Sequence, residues 1–180
     1  MSSQNKPIWI VPWLKCRSLM TGKLQADLQS GSGSVQLKRI AETWTGVGWW
    51  ERYMLGLEAG RMFQREITIA AGNDLCWYAR TLVPELCYSA HESIFSRLQN
   101  ESLGDILFSD ARINRAGLKI YSIDAMAIEY YWLNQAWRED ATCFWVRLSH
   151  FIIAEEPLHS FFLSEILLPG LGRATGNSNL

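Results

Sequence analysis

Met62-Phe63-Gln64-Arg65-Glu66-Ile67-Thr68-Ile69-Ala70-Ala71 is followed by Gly72-Asn73-Asp74 and by a second run from Leu75 to Val83, which Pro84 stops. Both runs are rich in β-branched and aromatic residues, and the Gly-Asn pair between them is a hairpin turn signal. Two antiparallel strands are expected. Working outward, Val35 to Trp44 reads as a further strand, and Ser160 to Leu168 as the last one. Leu118 to Ile128 and Thr142 to Ala154 read as long strands flanking a less regular segment, Glu129 to Asp140, which fits either an extended hairpin or an inserted helix. On the N-terminal side Ser18 is placed to cap a helix carrying Met20, Leu24 and Leu28 on one face, and Ser30-Gly31-Ser32-Gly33-Ser34 ends it in a turn. Ser89-Ala90-His91-Glu92 has the spacing of a capping box ahead of Ile94, Phe95 and Leu98, and Ser102 opens a second short helix through Ile106, Leu107 and Phe108. Hairpin strands, then helices, then a run of strands favour an α+β fold: an antiparallel sheet with helices packed on one face.

Side chains alternate across a strand, so Phe63, Arg65, Ile67 and Ile69 share a face. By the same rule Phe161, Leu163, Glu165 and Leu167 share one, and so do Cys143, Trp145, Arg147, Ser149, Phe151 and Ile153. Arg65, Glu165 and Arg147 are therefore charges in the apolar phase. An unpaired charge among hydrophobes is costly, so each needs a partner. Two arrangements satisfy Arg65 and Glu165: an internal ion pair between them, or a ligand with a carboxylate for the Arg65 fork and an oxygen for Glu165.

The chain has 180 residues, 48% of them hydrophobic, with nine tryptophans. That length and composition suit one domain spanning residues 1–180. Seventeen basic against eighteen acidic residues give a formal charge of -1. Such a balance argues against nucleic acid or an anionic membrane as the main partner. Neither a signal-peptide pattern nor a run of about 20 apolar residues is present, so no membrane span and a cytoplasmic protein are expected. A monomer is expected as well. Cys16, Cys76, Cys87 and Cys143 are scattered without metal-ligand spacing, which predicts reduced, packed thiols and no metal.

Gln64-Arg65-Glu66-Ile67-Thr68-Ile69, Trp77 to Pro84, Leu103-Gly104-Asp105-Ile106-Leu107-Phe108-Ser109-Asp110 and Leu163-Ser164-Glu165-Ile166-Leu167-Leu168-Pro169 resemble the motif series of bacterial chorismate lyases. Pro12-Trp13-Leu14 and Ser18-Leu19-Met20-Thr21 are similar to that family's opening segment, so the resemblance runs in order along nearly the whole chain. It implies the family's α+β fold, with a site enclosed under helical flaps. It also implies substrate contacts at Met20, Arg65, Leu103 and Glu165, with Arg65 and Glu165 as the catalytic poles. The activity implied is conversion of chorismate to 4-hydroxybenzoate and pyruvate, an early step of ubiquinone biosynthesis, without cofactor. The sequence departs from the family in having Trp145-Val146-Arg147-Leu148-Ser149 where two adjacent arginines are usual, and in a longer segment from Tyr121 to Asp140.

The remaining signals are weaker. Gly170-Leu171-Gly172-Arg173-Ala174-Thr175-Gly176 echoes a phosphate loop but follows the last strand, so a frayed tail is expected. His91, His150 and His159 show no partner set for nucleophilic chemistry and read as structural. A non-catalytic effector-binding domain of the same fold is the rival reading, although the residues before Val35 are too few for a DNA-binding helix-turn-helix. Most tryptophans lie among apolar neighbours in strand-like segments, which favours core over an exposed interaction surface.

Overall fold

The computed structural model describes residues 6–16, 20–28 and 34–176. The expected cap at Ser18 and nearly all of the Ser30–Ser34 turn lie outside these residues. In chain order the strands are β1 (Val35–Gly46), β2 (Arg61–Ala71), β3 (Asp74–Pro84), β4 (Ile113–Ile123), β5 (Phe144–Ile153) and β6 (His159–Leu167). The α-helices are α1 (Val11–Leu14), α2 (Met20–Asp27), α3 (Trp49–Leu55), α4 (Glu85–Ala90), α5 (Glu92–Phe95), α6 (Leu103–Ser109), α7 (Gln135–Arg138) and α8 (Gly170–Ala174). One six-stranded sheet has the order β1-β2-β3-β6-β5-β4, and every neighbouring pair is antiparallel. The α+β architecture is as expected. At the β2–β3 turn Gly72 takes φ +57°, a conformation a hairpin of this kind asks of glycine.

Helices do not keep to one face. On the front face α1 and α2 place Trp13, Leu14, Met20 and Leu24 against Ile69, Trp77 and Leu167. Beside them Ile94, Phe95, Leu98, Leu103 and Ile106 pack on Phe63, Phe151 and Phe161. The back face is also covered, and this corrects the single-face expectation. Trp50 of α3 packs with Met62, Leu82, Leu148 and Phe162. The segment after β4 adds Leu133, with Trp132 and Trp137, over Tyr78, Val146 and Ile166. Central strands β3, β5 and β6 are accordingly buried on both sides.

Local chemistry explains where the other boundaries move. Strand β4 starts at Ile113 rather than Leu118, because a bulge between Arg115 and Gly117 breaks the alternation that marks a strand. It stops at Ile123, after which the Asp124 carboxylate accepts the Met126 N–H at 2.9 Å and turns the chain into the 3₁₀ helix Ile128–Trp132. With α7, this makes the irregular segment helical. Ser89 lies inside α4 and caps nothing, whereas Ser102 does cap α6, accepting the Asp105 N–H at 3.1 Å. Helix α3 is short; Glu51 takes the Gly48 N–H at 3.0 Å and Gly56 ends it at φ +69°.

The tail expected to fray instead forms α8, with Gly170, Leu171, Gly172 and Ala174 buried. Arg173 holds Asp74 at 2.7 Å and Asp140 at 3.3 Å. A Cβ at Gly170 would lie 2.2 Å from the Leu75 carbonyl oxygen. Gly170→Ala is therefore expected to lower the unfolding free energy by about 1–3 kcal/mol, as overpacking does. A urea transition with an unchanged midpoint would contradict this contact.

His91 interrupts the α4–α5 pair and turns its ring to His159, Nε2 to Nδ1 at 3.1 Å, with Glu155 at 3.4 Å. Burial, then the neighbouring His159, pushes the His91 pKa below the ordinary value, while Glu155 opposes the shift. The unfolded chain thus takes up the proton first. Stability should hold constant above about pH 6.5 and fall as pH drops below it. His150, lowered by burial and by Lys119, acts in the same direction. Thermal melts between pH 8 and 5 should show the fall, and His91→Gln should make it shallower; an equal slope in the variant would remove His91 from the account.

Candidate functional site

The front face carries the misplaced charges, and strand register decides who meets whom. Arg147 on β5 stands directly opposite Glu165 on β6, and Glu165 is also opposite Ala79 on β3. Arg147 Nη1 lies 3.2 Å from Glu165 Oε2. Arg147 is fully buried and Glu165 is 6% exposed, so this is an interior ion pair. Arg147 also donates from Nη2 to the Cys16 carbonyl at 2.7 Å and touches the Met20 sulfur through Nη1. One guanidinium therefore joins the sheet to the N-terminal helices. Burial raises the Glu165 pKa; Arg147 and then Arg115 pull against that rise.

Arg65 has a different partner. Register places it opposite Glu42 on β1, and its Nε donates to Glu42 Oε1 at 3.1 Å. Its Nη2 reaches the Glu101 carbonyl at 3.5 Å, and its buried Nη1 has no hydrogen-bond partner among the described residues. Burial lowers the Arg65 pKa, against the pull of Glu42, yet a guanidinium stays charged. The internal Arg65–Glu165 pair does not form, because each side chain is matched to a nearer charge.

A narrow cavity of about 70 Å³ lies between the sheet and helices α2 and α6. Met20, Leu103, Glu165, Arg147 and Arg115 line it, over an apolar floor that includes Ile67 and Ala79. Three of the four expected contact residues, Met20, Leu103 and Glu165, thus share one cavity. Arg65 does not line it. It stands at the rim, two residues along β2 from Ile67 and opposite Thr81, both of which are walls. Ligand pockets are commonly about 300 Å³ or larger, so a ring can enter only if α2 or α6 gives way.

Arg115 is the charged wall that sequence reasoning missed. A strand started at Ile113 would have put Arg115 and Phe151 on a shared face, as their pairing does. Among the described residues no group of three or more His, Cys, Asp or Glu side chains is arranged to hold a metal ion. No helix is long and apolar enough to cross a membrane among those residues.

A helix-covered antiparallel sheet with a narrow, charge-lined cavity on its front face defines an α+β protein. The chain belongs to the chorismate lyase family, whose sequence profile matches residues 2–169. It is 26% identical over 168 residues to the "Probable chorismate pyruvate-lyase" of Coxiella burnetii, covering 93% of this chain and 86% of that protein. A protein of the same name from Aromatoleum aromaticum is 26% identical over 166 residues, covering 91% of this chain and 86% of its own. In fold the chain is similar to a GntR-family transcriptional regulator from Bacillus cereus, with TM-score 0.50, 13% identity, and coverage of 75% of this chain and 92% of that one. That last likeness concerns the fold alone.

Arg147→Met would leave the Glu165 carboxyl buried without its cation. A loss of about 3–5 kcal/mol in unfolding free energy is expected, most of it recovered in the double variant Arg147→Met/Glu165→Gln. Strictly additive losses in chemical denaturation would show that the two groups are not coupled.

Proposed function

We propose that this chain, as one domain over residues 1–180, is a monomeric chorismate lyase converting chorismate to 4-hydroxybenzoate and pyruvate, an early step of ubiquinone biosynthesis. The observation that carries the reading is the Arg147–Glu165 pair inside the Met20–Leu103 cavity of a chain that belongs to this family. Chorismate contains the same atoms as the two products together, so the conversion needs no external oxidant or reductant. The ether bond between ring and enolpyruvyl group breaks, the neighbouring ring carbon loses its hydrogen, and the ring becomes aromatic. What remains for the protein is orientation and placement of charge.

In this reading Arg65 takes the ring carboxylate once the 101–103 segment shifts and releases its Nη2. Nη1, buried and without a hydrogen-bond partner among the described residues, is the donor at the rim. Glu165 hydrogen-bonds the ring hydroxyl, and Arg147 holds that carboxyl in place from the neighbouring strand. Met20 and Leu103 close over the ring and keep water out. The departing enolpyruvyl group itself takes the ring hydrogen, forming the methyl group of pyruvate. Glu165 then transfers no proton.

Purified protein incubated with chorismate should release 4-hydroxybenzoate and pyruvate in equal amounts. Binding without turnover would favour the effector-binding reading. Glu165→Gln preserves a hydrogen-bonding group and should keep turnover within about tenfold, whereas Glu165→Ala should lose about 10²–10³-fold, as for other lost transition-state hydrogen bonds. A folded Glu165→Gln protein reduced as far as Glu165→Ala would make Glu165 a proton carrier.

A further inference from the structure

Beside the narrow cavity lies a second, wider depression of about 420 Å³, lined by Leu107, Phe108, Ile113, Arg115, Gly117 and Phe151. Leu107, Phe108 and Arg115 belong to both hollows, so these three side chains form the partition between them. Arg115 is half-buried, and its guanidinium carbon sits 5.3 Å from the centroid of the Phe151 ring. Stacking on an aromatic face fixes the plane of a guanidinium, so that a planar carboxylate can exchange onto its N–H edges.

Charge counting within the lyase reading asks for such a group. Chorismate carries two carboxylates, one on the ring and one on the enolpyruvyl ether. Arg65 is assigned the first, and Arg147 is committed to Glu165 and the Cys16 carbonyl. In sheet order Arg115 on β4 is four strands from Arg65 on β2. At about 4.8 Å per strand that is roughly 19 Å between backbones, which leaves room for a two-headed anion between the two inward-reaching side chains. Arg115 is also close enough to Glu165 for its charge to act on that carboxyl.

We propose that Arg115 holds the enolpyruvyl carboxylate of the substrate, and that the wider depression is the pyruvyl subsite through which pyruvate leaves while the aromatic product stays behind Leu107 and Phe108. This rests on the lyase reading. It makes Arg115 a substrate-binding residue with no part in holding the ring, and Phe108, 63% exposed, the outer edge of the gate.

The test compares wild type, Arg115→Gln and Arg115→Lys for chorismate KM and for inhibition by 4-hydroxybenzoate, with calorimetric affinities for both ligands. Loss of a charge-assisted carboxylate contact should raise the chorismate KM and Kd by about 10- to 100-fold in Arg115→Gln. The 4-hydroxybenzoate constant, which also reports an intact ring site, should move less than about threefold, and Arg115→Lys should fall between wild type and Arg115→Gln. An unchanged chorismate affinity, or an equal loss for both ligands, overturns the assignment. Wild type that binds chorismate without turning it over defeats the lyase reading, while its Kd against that of Arg115→Gln still decides the role of Arg115. Wild type that binds neither ligand overturns both.

Discussion

Arg147 and Glu165 meet in the middle of the sheet with almost no access to water. Each charge would cost several kcal/mol to bury alone, and only close pairing with further hydrogen bonds makes such a site tolerable. The surroundings follow from that constraint. Register between β5 and β6 must be held, since a one-residue slip of either strand would turn its charge to the back face and leave the other buried alone. The N-terminal segment must dock, because the Cys16 carbonyl accepts the remaining arm of the fork. The Met20 helix then lies over the pair and becomes the lid of the cavity.

In the proposed reaction the same pair shapes the chemistry. A carboxyl whose pKa is raised by burial, yet restrained by Arg147, can meet a hydroxyl oxygen without being free to wander. Arg65 is kept at the rim by Glu42 and by a backbone carbonyl next to the α6 cap. In the proposed reaction, a shift of the 101–103 segment releases Arg65 from that carbonyl. With a cavity this narrow and Arg65 outside its walls, a ring that binds here must first displace internal contacts.

Much of this was legible from residues. Alternation in Met62–Ala71 and the Gly-Asn turn fixed the hairpin, and strand phase pointed Arg65, Glu165 and Arg147 inward. Partner choice was not legible, because it depends on register between strands far apart in the chain: Glu42 meets Arg65, and Arg147 meets Glu165. Arg115 was hidden by the bulge that follows it. Helix α3 is too short to show a period, and α8 exists through the close approach of Gly170 to Leu75, a contact that no local pattern announces.

The most direct measurement is a crystal structure with 4-hydroxybenzoate bound. The ring should lie between Met20 and Leu103, with the phenolic oxygen within hydrogen-bond distance of Glu165 and the carboxylate on Arg65 turned in from the rim. A ligand held with its carboxylate on Arg147, or seated anywhere outside this cavity, would contradict this placement.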